Sequence, residues 1–203
     1  MSKGQRGRPG RKKSIIHKAA LELFIEKGIN DTKINDIAKK AGVTHSLILY
    51  HYDTIDKIFI EIIKEMIAEY EEYTIDNVPK FSDDKVENII NLFLLPINWA
   101  KENIMKAKLL LYFNYISSLR SDLTDVTEKF NKTVDSNLKT AILKINNIKQ
   151  CNYKDEEELE HIVKTIRGSI NGLVTQQLML NKSDFNETKT QIKFCINKLL
   201  FNT

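Results

Sequence analysis

A chain of 203 residues with 42% hydrophobic content and a formal net charge of +4 is long enough for one or two domains with a proper core. Its longest apolar runs, such as Leu109 to Phe113, fall far short of the roughly 20 residues that a membrane span needs, so no membrane partner is expected. The basic start leads into an amphipathic pattern rather than an apolar h-region with a small-residue cleavage site, which points to the cytoplasm.

The N-terminal segment MSKGQRGRPGRKKS holds Lys3, Arg6, Arg8, Arg11, Lys12 and Lys13 and no acid. Residues 15–57 balance six bases against six acids, and residues 58–203 carry 19 bases and 21 acids, so the whole positive excess lies in this arm. Residues 1–13 therefore read as a flexible basic arm. The run Arg6-Gly7-Arg8-Pro9 resembles the core of an AT-hook, an extended segment that lies in the narrow minor groove of A·T-rich DNA, where negative potential attracts arginine. Set against that is a plain solvated tail that attaches without sequence preference.

From residue 14 to 54 the pattern is that of three short helices. An amphipathic stretch, Ile15 to Gly28, comes first. Thr32 then offers an N-cap, and Ile34, Ile37, Ala38 and Ala41 recur at i, i+3, i+4 and i+7 on one helical face. Gly42 permits a sharp turn, Val43 packs inward, and Thr44 caps the next helix. On that helix Leu47, Ile48 and Tyr52 supply a buried side. Thr44, His45, Ser46, Leu49 and Tyr50 are left to meet base edges and phosphates, with His51 structural or on phosphate.

Helical periodicity continues to the end, and no glycine falls between Gly42 and Gly168. Asp53 or Thr54 caps a helix running to about Tyr73, which Asn77-Val78-Pro79 ends. Ser82 caps the next, and Pro96 interrupts or kinks the apolar segment Val86 to Trp99. Further helices cover Asn103 to Leu119 and Leu123 to Ile148. A final pair follows around the turn Asn181-Lys182-Ser183. Its first stripe is Leu159, Ile162, Val163, Ile166, Ile170, Leu173 and Val174, and its second Phe185, Ile192, Ile196 and Leu199. Gly168 and Gly172, four apart, suit close approach of another helix. Cys195 sits on the apolar pattern and Cys151 in a polar connection, and neither belongs to a CxxC or Cys/His cluster, so reduced thiols are expected.

Taken together, Ala19-Ala20, Leu23-Phe24, Gly28, Asp36-Ile37-Ala38, Ala41-Gly42-Val43-Thr44 and His51-Tyr52 resemble the DNA-binding domain of TetR-family transcriptional regulators, in order and in spacing. The chain departs from the family pattern where a Gly is usual at Ser46, a Tyr at Leu49 and a Lys at Ile55; the last two normally touch phosphate. The arm can offset that loss. The resemblance implies an all-α protein, with an N-terminal three-helix helix-turn-helix domain (14–54) followed by a larger helical ligand-binding and dimerisation domain (55–203). It implies a ligand-responsive, sequence-specific dimeric repressor. Double-stranded DNA is met through Arg6, Arg8, Arg11, Lys12, Lys13, Lys33, Thr44, His45, Ser46, Leu49, Tyr50, His51 and Lys57. The homodimer forms through helices near 155–180 and 183–201. A small-molecule effector, apolar or weakly polar, is held near Tyr70, Phe93, Trp99, Tyr112, Phe113, Asn114 and Tyr115, unless those aromatics are plain core.

Two other classes compete. An architectural protein could bind A·T-rich DNA through the arm alone, but some 145 residues of further apolar helices exceed what a DNA-bending module needs. A helical metalloenzyme has one Glu-x-x-His pair, Glu158 and His161, where a two-iron bundle needs two. The histidines His17, His45, His51 and His161 show no metal-ligand spacing, and no Gly-rich phosphate loop exists, so no cofactor, metal or catalytic residue is expected.

Overall fold

The computed structural model describes residues 9–78, 84–145, 153–180 and 184–201. Among these residues there are nine α-helices and no strand, as the periodicity predicts. They fall into two compact units, Met1–Ala68 and Glu69–Thr203.

The first unit contains α1 (Pro9–Lys27), α2 (Ile34–Ala41), α3 (His45–His51) and the leading turns of α4 (Ile55–Asp76). Proline suits a first helical turn because its missing N–H has no partner to lose there. The helix accordingly begins at Pro9, earlier than the sequence boundary at residue 13, and includes Arg11, Lys12 and Lys13. Ile16, Ala20, Phe24, Ile37, Ile48, Ile58, Phe59 and Ile63 are buried, with Phe24 edge-on to Phe59 at 5.9 Å. At this unit's size, these apolar side chains carry most of its stability.

The second unit is built around α5 (Lys85–Glu102). Leu92, Phe93, Leu94, Leu95, Ile97, Trp99 and Ala100 are all buried, so α5 is covered on nearly every side, as a central helix must be. Its neighbours are α6 (Ile104–Leu119), α7 (Ser121–Ile145), α8 (Glu156–Met179) and α9 (Asn186–Ile196). Two expectations change here. Pro96 does not end the helix, which is assigned without a break from Lys85 to Glu102. Packing on its buried sides holds the turn that lacks the proline N–H. The cap of α5 is Asp84, whose side chain accepts from the Glu87 N–H; Ser82 lies outside the described residues.

The stripes of the last pair are close to expectation, with a register change at the end. Residues Asn197–Phe201 form a π-helical turn, whose wider i→i+5 winding brings Leu200 in line with Ile192 and Ile196. Leu200 is therefore fully buried, and Leu199 only half-buried. Cys195 is half-buried and unpaired by any disulfide, whereas Cys151 lies outside the described residues.

Candidate nucleic-acid interface

Local chemistry fixes the α2–turn–α3 segment at each joint. The Lys33 N–H donates to the Asp36 carboxylate at 3.1 Å, closing the first turn of α2. Lys33, not Thr32, occupies the cap position; Thr32 is buried, and its hydroxyl donates instead to the Gly28 carbonyl at 2.6 Å. At the other end Gly42 takes φ +65°, and the Val43 N–H reaches back to the Ala38 carbonyl at 3.0 Å. A side chain at that φ would strain the backbone, so glycine is required there by conformation. The Thr44 hydroxyl accepts from the Leu47 N–H at 3.2 Å and starts α3.

With its start and turn fixed, α3 buries Ile48 on one side and leaves the other to solvent. Thr44, His45 and Ser46 are exposed, Leu49 is 42% exposed and Tyr50 82% exposed. His51 is half-buried and meets Tyr50 edge-on at 5.1 Å.

Charge on this unit is arranged by internal pairing. Lys27 meets Asp36 at 2.5 Å, and Lys40 meets Glu26 at 2.7 Å and Glu22 at 3.2 Å, which ties α1 to α2. These bonds hold the Asp36 carboxyl below the ordinary carboxylate range, chiefly through Lys27, and raise Lys40, chiefly through Glu26. Lys57 pairs with Asp53, and Lys13 with Glu61 at 3.2 Å. Lys12, Lys33 and Lys39 are exposed and have no ion-pair partner among the described residues. Three of the six bases counted over residues 15–57 are thus paired inside the unit, with four of its six acids. Arg6 and Arg8 lie outside the described residues, as does the side chain of Arg11.

One feature escaped the sequence reading. His17 is 4% exposed on α1, its Nδ1 2.8 Å from the Glu65 carboxylate and its Nε2 2.6 Å from the Tyr52 hydroxyl. Tyr52 is itself 1% exposed, and burial, followed by the Glu61 and Glu65 carboxylates, pushes its phenol well above the ordinary range. It therefore stays a neutral hydroxyl. The signal was present, since His17 follows Ile16 on the buried side of α1 and a histidine there needs polar partners.

The residues named for an effector lie in the second unit. Tyr70 meets Trp99 edge-on at 5.4 Å and Phe130 at 5.7 Å, and Phe93 belongs to the same buried cluster. Phe130 was not foreseen, although Phe130, Val134 and Leu138 recur at i, i+4 and i+8 and all pack on that core. Phe113 is buried and Tyr112 half-buried on α6, whereas Asn114 and Tyr115 are exposed. Exposure separates those last two from the buried aromatics. No group of three or more His, Cys, Asp or Glu side chains that could hold a metal ion occurs among the described residues, and none of the described helices is long and apolar enough to cross a membrane.

Residues 16–62, from α1 into α4, match the family model of bacterial regulatory proteins of the tetR family. The HTH-type transcriptional regulator LuxR of Vibrio harveyi is 22% identical over 160 residues, covering 79% of this chain and 76% of that protein. Similarly, SrpR of Pseudomonas putida, also an HTH-type transcriptional regulator, is 20% identical over 163 residues, 79% of this chain and 72% of that one. Among solved structures, a TetR transcription regulator from Haloarcula marismortui superposes with a TM-score of 0.81 at 19% identity, over 94% of this chain and 99% of that chain. A transcriptional regulator from Saccharomonospora viridis, determined in complex with choline, also gives 0.81, at 16% identity, over 94% of this chain and 98% of that chain. A capped helix-turn-helix with an exposed outer face and a matching family model over residues 16–62 identify a DNA-binding domain of the tetR family at the head of this chain, and the rest shares the fold of solved TetR regulators.

Proposed function

We propose that the protein is a dimeric repressor that holds a pseudo-palindromic operator with two copies of α3 and leaves it when a small molecule binds in the second unit. The observation that carries the DNA-reading half is the outer face of α3, where Thr44, His45, Ser46, Leu49 and Tyr50 have little internal role and stand open. Thr44 combines the two tasks, capping the helix while presenting its exposed side chain at the groove end. Lys12, Lys33 and Lys39 supply phosphate contacts that position this face, and Lys57, Arg11 and the arm arginines Arg6 and Arg8 add to them.

Dimerisation is supported by what α8 and α9 leave uncovered. Met179, Leu180 and Phe194 are exposed apolar side chains, and a methyl group added at Gly168 or Gly172 would meet nothing within 4 Å. Open glycines and exposed apolar groups on this helix pair suit close packing of the same helices from a second copy. Two α3 helices then reach successive major grooves about 34 to 36 Å apart.

For the effector, the buried cluster of Tyr70, Phe93, Trp99 and Phe130 supplies aromatic walls, with Tyr112 and Phe113 on α6 close in sequence to the exposed Asn114 and Tyr115. The choline-bound neighbour of the same fold supports a small-molecule role for such a unit. Effector and operator would oppose each other reciprocally, by linkage.

The test is selection of preferred sites by the full chain from fragmented A·T-rich genomic DNA at near-physiological salt, followed by sequencing. A two-fold symmetric motif is the expected result. Enrichment of A·T-rich fragments without symmetry would replace this reading with binding led by the arm, and would overturn the dimeric repressor.

A further inference from the structure

The buried polar cluster inside the reader does something the apolar core cannot do. It contains one histidine held between a carboxylate and a hydroxyl. A carboxylate only accepts hydrogen bonds, so the 2.8 Å contact with Glu65 requires the proton of a neutral His17 ring to sit on Nδ1. The bare Nε2 must then accept from the Tyr52 hydroxyl at 2.6 Å. That hydroxyl has one proton and a second acceptor in reach, Glu61 Oε2 at 3.3 Å. In the neutral state the proton is committed to His17, and Glu61 keeps its bond from Lys13.

Uptake of a proton from solvent at Nε2 reverses the bond. The new N–H donates to the Tyr52 oxygen, and the hydroxyl turns its own proton to Glu61, with no O–H bond broken. Tyr52 is the closing residue of α3, its N–H bonded to the Ile48 carbonyl at 2.8 Å, so the end of the recognition helix becomes fastened to α1 and α4 together. The groups facing His17 are Tyr52 from the end of α3 and Glu61 and Glu65 from α4, with Lys13 one turn before it on α1. The charged groups of α2 pair elsewhere on α1, Asp36 with Lys27 and Lys40 with Glu22 and Glu26. We propose that His17 is a positioning residue of the DNA reader, whose protonation transfers the Tyr52 hydroxyl bond from α1 to α4 and so tightens the hold on α3 for DNA. The proposal rests on the DNA-reading role given above.

Operator affinity of the full-length protein, measured from about pH 8 to about pH 6, tests it in wild type, H17Q and Y52F. Glutamine keeps a donor and an acceptor but takes up no proton. Every other ionisable side chain is the same in all three proteins, so the comparison removes its share. Over this range wild-type affinity should rise about fivefold more than that of either variant, with H17Q close to wild type at the alkaline end. Equal pH profiles for wild type and H17Q, or a wild-type profile in Y52F, would overturn the proposal. Should H17Q fold poorly, the double variant H17L/Y52F removes both polar partners at once and leaves nothing buried and unpaired at either position; its profile is expected to be as shallow as that of Y52F, and a wild-type profile would overturn the proposal. Nitrogen NMR of the ring in the DNA-free protein gives an independent reading. The Nδ1–H tautomer is expected at the alkaline end, and an Nε2–H tautomer would overturn the relay whatever the protein does with DNA. Loss of all sequence preference in the wild type would overturn the reader itself, whereas normal preference with equal profiles would overturn only His17.

Discussion

Both units of this protein have apolar cores, and they differ in the contacts added to them. In the first, short helices are fixed by point interactions: a glycine at φ +65°, a threonine cap, Lys27–Asp36 and Lys40–Glu26 pairs, and the buried His17–Tyr52 bond. In the second, longer helices surround α5 about a large apolar cluster, with the Arg167–Asp135 pair joining α8 to α7. Point interactions fix an orientation, which a DNA reader needs, because a groove is met by a few side chains held at set positions. Apolar packing fixes a volume, and a volume can be reshaped to admit a small molecule. The contrast explains why the family resemblance is written in the first unit, whose determinants are local.

The sharpest way to break the contrast is to remove packing from the second unit. Trp99→Ala, at a buried position against Tyr70, should destabilise that unit by about 3–5 kcal/mol, seen as a lower urea midpoint. A shift below about 1 kcal/mol would mean that the cluster already contains the space for an effector. Next comes Tyr50→Ala, which touches only the outer face of α3. It should leave the urea midpoint unchanged while weakening operator binding by about 1–3 kcal/mol, measured by fluorescence anisotropy. Glycine substitutions then separate conformation from space. Gly42→Ala should cost about 1–2 kcal/mol because of its positive φ, although nothing stands within 4 Å of the added methyl group. Gly168→Ala, open and without positive φ, should instead raise helix stability by up to about 1 kcal/mol and weaken self-association in sedimentation velocity.

The smallest effect concerns acid. The folded-state pKa of Asp36 lies below its ordinary value, so its contribution is present above the ordinary carboxylate range and is lost as pH falls through the lowered value. Because the Lys27 pair is exposed, Asp36→Asn should flatten the acid limb of a thermal melt only slightly.

Much of the first unit was legible because its determinants are local. Gly42 and Thr44 act within four residues of themselves, and the helices begin and end where they say. The cap of α2 was misplaced by one residue because Thr32 had a competing acceptor, the Gly28 carbonyl, contributed by the preceding turn. His17 and Tyr52 are 35 positions apart, and only folding makes them partners. In the second unit the apolar stripes of α8 are legible, whereas the sequence leaves Pro96 to interrupt or kink its segment, because the cost of proline is local and the burial that keeps the helix continuous is not. Leu200 joins the stripe beside Leu199, which a 3.6-residue period does not foresee because it takes no account of a π-helical turn. The candidate effector residues divide by burial, with Tyr70, Phe93, Trp99 and Phe113 inside and Asn114 and Tyr115 in solvent, a division that the sequence does not show.

A titration of the full-length protein into its selected symmetric duplex, beside a scrambled duplex of identical composition at near-physiological salt, tests the DNA-reading role most directly. Recognition by α3 predicts binding at least about a thousandfold tighter to the symmetric site, lost in Tyr50→Ala. Equal affinity for the two duplexes, unchanged by that substitution, would contradict it.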